Sequence, residues 1–315
     1  MRNILVSNAM RNNRFEEITK FLHFSNNEEL DGRDKMGKIR PLLDLLSNKF
    51  IANAPDCKNI YIDEVMIPYL GRHGCKQFLR LKPVRLGLWH RALGLAADLY
   101  QGKNPNGTRP GDQGLEESVV LTFCDSLMTS FPGIQFSFYF TTIFFTNTKL
   151  ICSLSEKGMK GTGTARIKRI GMCPIADKKV MQKRERGSYE VYTEENKGIS
   201  AVAWRDNNVV YTLSNEHGVQ PVQYANRYSS KEKKSLQVTQ PKVIHKYNKF
   251  IGGVNFLDNN IFNYHVRICG KTLYTPIAFW LFDVCMTNAW MLARSKELTL
   301  DQLSFQRQCV RALLG

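Results

Sequence analysis

The stretch NIYIDEVMIPYLG, residues 59–71, constrains this chain more than any other. It is β-branched and aromatic, is bounded by Asn59 and Gly71, and reads as a strand running out at Asp63–Glu64. Residues 82–103 offer one or two further short strands, followed by a Gly/Pro/Asn loop at 104–114. An amphipathic helix is expected over 115–128, a strand over 134–142, and a helix over 144–158 that stops at a glycine. Elements in this order specify an α/β layered domain, because apolar sheet faces need helices to cover them. Helical periodicity over 12–23 and a helix starting near Pro41 make residues 1–55 a helical N-terminal part. Residues 56–159 then hold the first part of the core. From 160 to 240 short strands, turns and a dense basic run read as a separate β-rich insertion, with 226–242 as a linker or exposed edge. Residues 241–300 close the core with helices, and 301–315 form a tail.

Charge narrows the partners. Lys and Arg number 44 against 28 Asp and Glu, a net +16 with a pI near 9.5, which favours a polyanion and nucleic acid before an acidic membrane. Hydrophobic residues make up 43% of the chain, enough to build a sizeable core. The eight cysteines form no C-x-x-C pair and fit neither a zinc module nor a disulfide framework, so a reducing compartment is expected. The opening MRNILVSNAMRNNRF lacks a signal-peptide apolar core. Residues 276–294 are nearly long enough to span a bilayer, yet Asp283 and Asn288 in their middle favour a buried core helix. No membrane partner is expected. No internal repeat is apparent.

Chemistry concentrates in two stretches. Asp63 falls at a strand end, where α/β sheets commonly place functional carboxylates, and Arg72, Lys76, Arg80, Lys82 and Arg85 follow it closely. A carboxylate beside a cationic strip suits a place where metal ions meet a phosphate backbone, and equally a solvated edge strand. The second stretch, KFIGGVNFLDNN (249–260), is a glycine turn with one acid, Asp258, three residues after the amide Asn255. Two carboxylates at that spacing on a helical turn can hold a divalent metal; one reads as a loop. KGTGTARIKR (160–169) lacks the G-K-[ST] ending of a P-loop. KKVMQKRERG (178–187) reads as a phosphate-docking run, a nuclear-import patch or a solvated face. His73, His90, His217, His245 and His265 form no metal-spaced pair, and Trp280 and Trp290 read as core anchors.

IDEVMIPYLGR, followed by KQFLRLKPVRLG, resembles the piggyBac transposase signature. Further blocks follow in family order: NRFEEITKFLHFSNN (13–27), KIRPLLDLL (38–46), FFTNTKLICSLSEKGMKGTGTARIKR (144–169) and residues 247–294. The resemblance implies an RNase H-like mixed-sheet catalytic core with helices on both faces, and an N-terminal part that binds DNA or dimerises. It implies cut-and-paste DNA transposition with carboxylates holding two divalent metals, usually Mg²⁺, in a nuclear protein with DNA as partner and a possible homodimer. Carried over by position, the catalytic and metal-binding acids are Asp63 and Asp258, while Thr142 and Asn255 stand where the family has aspartates. Two neutral residues remove charge from a site meant for hard cations. No cofactor is therefore expected, or Mg²⁺ if activity remains. The nucleic-acid-binding candidates are Arg72, Lys76, Arg80, Lys82, Arg85, Lys168, Arg169 and Lys271.

Two departures concern the fold. LWHRALGLAADL between Gly87 and YQGK is shorter and less β-branched than the family pattern, so a shortened or remade strand is expected. The closing FQRQCVRALLG holds one cysteine, so no C-terminal zinc domain is expected. Three readings stay open: an inactive DNA-binding transposase derivative, an active or residual Mg²⁺-dependent nuclease using Glu64 or Asp283 as support, and a relic without a role.

Overall fold

Alternation along Asn59–Pro68 (β1) organises the molecule. Ile60 and Ile62 are buried on one side with Phe138 and Phe140, while Tyr61 and Ile67 pack on the other with the late helices. A strand buried on both faces belongs inside a sheet covered on each side. The computed structural model describes residues 4–30, 32, 34–54, 58–78, 86–93, 96–99, 115–141, 143, 145–230, 232–266 and 272–314.

β1 lies between Leu86–Leu93 (β3), its antiparallel neighbour, and Ser137–Phe140 (β5), its parallel one. Lys76–Phe78 (β2) and Ala96–Leu99 (β4) both pair with β3, and Lys160–Thr164 (β6) runs parallel to β5. Antiparallel strands passing into parallel ones, with helices on both faces, make the RNase H-like mixed sheet. The Ala- and Leu-rich segment after Gly87 still forms paired strands, since a partner strand outweighs weak intrinsic β-propensity. β4 keeps only four residues.

The sheet does not stop at residue 160. Tyr189–Glu194 (β7), Ile199–Arg205 (β8) and Val209–Ser214 (β9) extend it in the order β2-β3-β1-β5-β6-β9-β8-β7. Residues 160–214 therefore continue the central sheet where the sequence suggested a separate insertion. The reason lies in β8 and β9, which are buried on both faces and cannot stand alone. The polar stretch 226–242 is likewise no linker. Gln223–Ser229 (β10) pairs with Lys234–Gln240 (β11) in a two-stranded sheet. Lys233, at φ 53°, makes the left-handed turn between them.

Helices cover both faces. Leu115–Ser130 (α4), Thr148–Glu156 (α5) and Lys178–Gln182 (α6) share a core with Ile60, Ile62, Phe138 and Phe140. α5 begins at 148, not 144, because the Asn147 side chain accepts from Leu150 N at 2.8 Å and caps it there. Opposite lie Arg40–Ala52 (α3), with Pro41 in its first turn, Gly252–Tyr264 (α8) and Tyr274–Ser295 (α9). α9 is long and apolar enough to cross a bilayer by length and composition alone. Its Ile277, Trp280, Leu281 and Val284 are buried with Ile67, Leu257 and Ile261. Lys242–Phe250 (α7) inserts Val243 and Ile244 against Val202, Trp204 and Val238. Ile4–Ala9 (α1) and Asn12–Phe21 (α2) bury no residue. Residues 301–315, expected as a tail, contain Gln302–Leu314 (α10), anchored by Gln302 Nε2 donating to Asn260 O at 3.1 Å.

KGTGT owes its glycines to packing. A Cβ on Gly163 would stand 2.3 Å from Thr146 Oγ1 and 2.8 Å from Phe140 Cβ. β6 thus serves as the close floor under the start of α5.

Candidate metal and nucleic-acid site

Asp63 sits in the middle of β1, not at its end as the sequence suggested. β3 holds the strand on to Pro68, pairing Asp63 with Ala92 and Pro68 with Gly87. The parallel partner β5, however, ends with Phe140 opposite Ile62. Asp63 is therefore the first residue of β1 beyond the parallel edge, which restores the strand-end placement by another route. Thr141 closes that edge, its N and Oγ1 each 3.0 Å from Ile62 O. Asp63 is only 7% exposed.

Tyr247 of α7 ties this edge together. Its Oη donates to Thr141 O at 3.1 Å and lies 3.3 Å from Thr164 Oγ1, at the end of β6. Burial, aided by the Asp63 charge and opposed by the Thr164 contact, pushes the phenol up to about 12. It stays protonated and keeps donating at any neutral pH. Ile251 N bonds Tyr247 O at 2.8 Å, so the backbone passes from α7 into α8 without leaving helical geometry. GGVNFLD is thus helix, not a glycine loop, and places positions 255 and 258 about one turn apart on α8. α8 packs on β1 through Leu257, Ile261 and Ile67. Sequence reasoning missed Tyr247. The signal was available in its place eight residues before Asn255, on an apolar helix face with Val243 and Ile244.

Asp63 and Asp258 are thus carried by elements in direct contact. Thr142 lies outside the described residues, as does the side chain of Asn255. Among the described residues no group of three His, Cys, Asp or Glu gathers as metal ligands. A centre for two hard divalent ions needs converging carboxylates, and of the four positions carried over from the resemblance only 63 and 258 are acidic. Asp283, a possible support, is engaged elsewhere, with Oδ2 2.5 Å from His265 Nδ1.

The cations fall in two groups. Arg72 is exposed beyond the end of β1. Lys76 is partly structural, with Nζ 3.0 Å from Gly71 O and 5.7 Å from the Tyr69 ring. Lys168 and Arg169 follow β6 in a 3-10 turn, Lys168 exposed and Arg169 half-buried. Both groups follow the C-terminal ends of strands that run parallel through β5. Arg80, Lys82, Arg85 and Lys271 lie outside the described residues. Unforeseen were Lys246 and Lys249 of α7, whose Nζ atoms lie 5.9 and 5.5 Å from the Phe250 ring. Phe250 in turn packs 4.7 Å from Tyr139. Beneath it Tyr139 Oη meets His217 Nε2 at 3.2 Å, and Ser137 Oγ donates to Glu216 at 3.0 Å. Burial, then Lys242 and Lys246, hold the His217 imidazole below its ordinary range, with Glu216 opposing.

The fold is an RNase H-like mixed sheet, with a buried aspartate at its parallel edge and a second acid on an adjoining helix. The chain belongs to the family described as Transposase IS4, which matches residues 1–290. It is 41% identical over 315 residues to the human PiggyBac transposable element-derived protein 3, and 35% identical over 311 residues to the human PiggyBac transposable element-derived protein 2. Those alignments take in 98% and 96% of this chain and 52% of each relative, so the chain spans about half their length. A solved piggyBac transposase synaptic complex with hairpin DNA shares the fold, with a TM-score of 0.75 at 17% identity over 97% of this chain and 63% of that one.

Proposed function

We propose that this chain is a piggyBac-type, transposase-derived DNA-binding protein that has lost cut-and-paste catalysis. One observation carries the reading: Thr142 and Asn255 stand at two of the four positions where the family places aspartates, leaving Asp63 and Asp258. Two carboxylates supply too little charge and too few oxygens for a pair of Mg²⁺ ions, so no metal cofactor is proposed. The +16 charge supports DNA as partner, and a DNA partner favours a nuclear setting. The solved relative with hairpin DNA supports the same partner. α9 is read as a core helix, with no membrane role.

The test is a salt titration of duplex binding by the full chain. Non-specific affinity is expected at about 10⁻⁴–10⁻⁶ M near physiological salt, falling steeply as salt rises. Salt-insensitive or absent binding would sink the DNA reading. Catalytic loss is tested separately with Mg²⁺ and Mn²⁺ on hairpin DNA. Cleavage by the wild-type chain that disappears in Asp63→Ala would overturn it, and the retained, buried Asp63 is what favours that second reading. The pair Thr142→Asp/Asn255→Asp should gain Mn²⁺ affinity in calorimetry where the wild type shows none.

A further inference from the structure

We propose that the β10–β11 hairpin is a binding strip for extended single-stranded nucleic acid, with Tyr224 and Tyr228 stacking on bases. The inference rests on the DNA-binding reading above and assigns it a surface. Tyr224 and Tyr228 are 67% and 63% exposed, an unusual state for two large rings on one short strand. Strand alternation puts them on the same face as Asn226, and the register sets Thr239, Gln237 and Ser235 opposite the three. The strip is thus two aromatic posts with an Asn–Gln pair between them. Aromatic posts accept any base face, and the amides offer donors and acceptors to base edges.

Spacing selects the form of the ligand. Four residues along a strand place the two rings about 13 Å apart, several times the ~3.4 Å stacking repeat of a duplex strand. A strand touching both rings is drawn out of helical stacking. The seating of the hairpin points the same way. Val238 is buried against Val202 and Trp204, and Trp204 Nε1 donates to Thr239 O at 2.7 Å. Arg186 and Arg227 both donate to Asp206, at 2.6 and 3.0 Å. Gly187, at φ +96°, lets the backbone approach so closely that a Cβ there would lie 3.1 Å from Thr239 N. The hairpin is clamped flat on the body, whereas a duplex reader must reach into a groove about 8.5 Å deep.

The strip puts no negative charge in the way of a phosphate backbone. The outward face, Tyr224, Asn226, Tyr228, Ser235, Gln237 and Thr239, carries no carboxylate. Lys233 and Lys234 stand at the turn, where Glu232 is paired to Lys234 at 3.1 Å.

The experiment is fluorescence anisotropy of the full chain with labelled oligo(dT) and, separately, a labelled duplex at one salt concentration. Tyr224→Ala/Tyr228→Ala should weaken oligo(dT) binding by at least ~5-fold per ring while leaving duplex affinity unchanged. Tyr224→Phe/Tyr228→Phe should bind oligo(dT) like wild type, which separates stacking from hydroxyl contacts and serves as the comparison if the alanine pair melts early. Unchanged oligo(dT) affinity in the alanine pair, with duplex binding intact, overturns the strip and leaves the DNA reading standing. Absence of all DNA binding by wild type overturns both. Self-association lost in the alanine pair, with oligo(dT) affinity intact, assigns the face to a second copy and also overturns the strip.

Discussion

Replacing Tyr247 by Phe removes one oxygen and no ring volume, so it isolates the bond that joins α7 to the parallel edge of the sheet. Tyr247 is 5% exposed. Its loss leaves Thr141 O without the donor it has at 3.1 Å and Thr164 Oγ1 without its neighbour at 3.3 Å. A carbonyl stripped of its partner costs up to about 1–3 kcal/mol where water cannot replace it, with no cavity term to add. pH supplies the control. The folded phenol stands at about 12 against an ordinary 10.0. Its proton is kept in the folded chain while the unfolded chain gives its own up above pH 10. This contribution is complete below pH 10 and is lost as pH rises toward 12. At pH 11, one unit above the unfolded value, the loss is on the order of 1 kcal/mol. Phenylalanine has no such loss. Urea unfolding followed by circular dichroism at pH 7 and pH 11 should therefore show a wild-type advantage of about 1–3 kcal/mol that shrinks by on the order of 1 kcal/mol. A gap near zero at pH 7, or one that ignores pH, refutes the clamp.

Three further outcomes are expected. Gly163→Ala forces a methyl against Thr146 Oγ1 and Phe140 Cβ and should cost about 1–3 kcal/mol in urea unfolding, with an unchanged slope. The His217 imidazole is held below its ordinary range, so the unfolded chain takes up this proton first as pH falls. Wild type should lose stability below the usual histidine range more steeply than His217→Gln, measured by melting temperature between pH 7 and 5. Asp206→Asn loosens both arginines that seat the β10–β11 hairpin, and should speed limited proteolysis at residues 229–234 without shifting the global melt by more than a few degrees.

Much of the fold was legible because its period was. The β-branched and aromatic run 59–71 reads as a strand from sequence alone, and Pro41 marks the start of α3. Where the sequence misled, a tertiary partner had decided. β8 and β9 follow a basic run that looks like a change of domain, but pairing through β6 makes them part of one sheet. The polar residues of β10 and β11 hid a period of two, since only Val238 and Gln240 of the hairpin are buried. Motif matching gave Asp63 and Asp258 without geometry. Tyr247, which ties α7 to the parallel edge beside Asp63, is an ordinary tyrosine until the ends of β5 and β6 are placed beside it.

Under the proposed loss of catalysis, that arrangement lets the fold persist without the chemistry. Converging carboxylates repel one another unless cations sit between them, so a metal-free four-acid site works against the packing around it. Neutral residues at 142 and 255 remove part of that repulsion. What then holds α8 to β1 is apolar contact among Ile67, Leu257 and Ile261, while a phenol on the preceding helix, which needs no ion, ties α7 to the end of β5. Neither depends on the missing acids. The cations beyond the parallel strands and the aromatic hairpin are built on other residues again. In this reading the acids that cut DNA and the surfaces that hold it are separable parts of one sheet, and drift in the first leaves the second without a structural reason to follow.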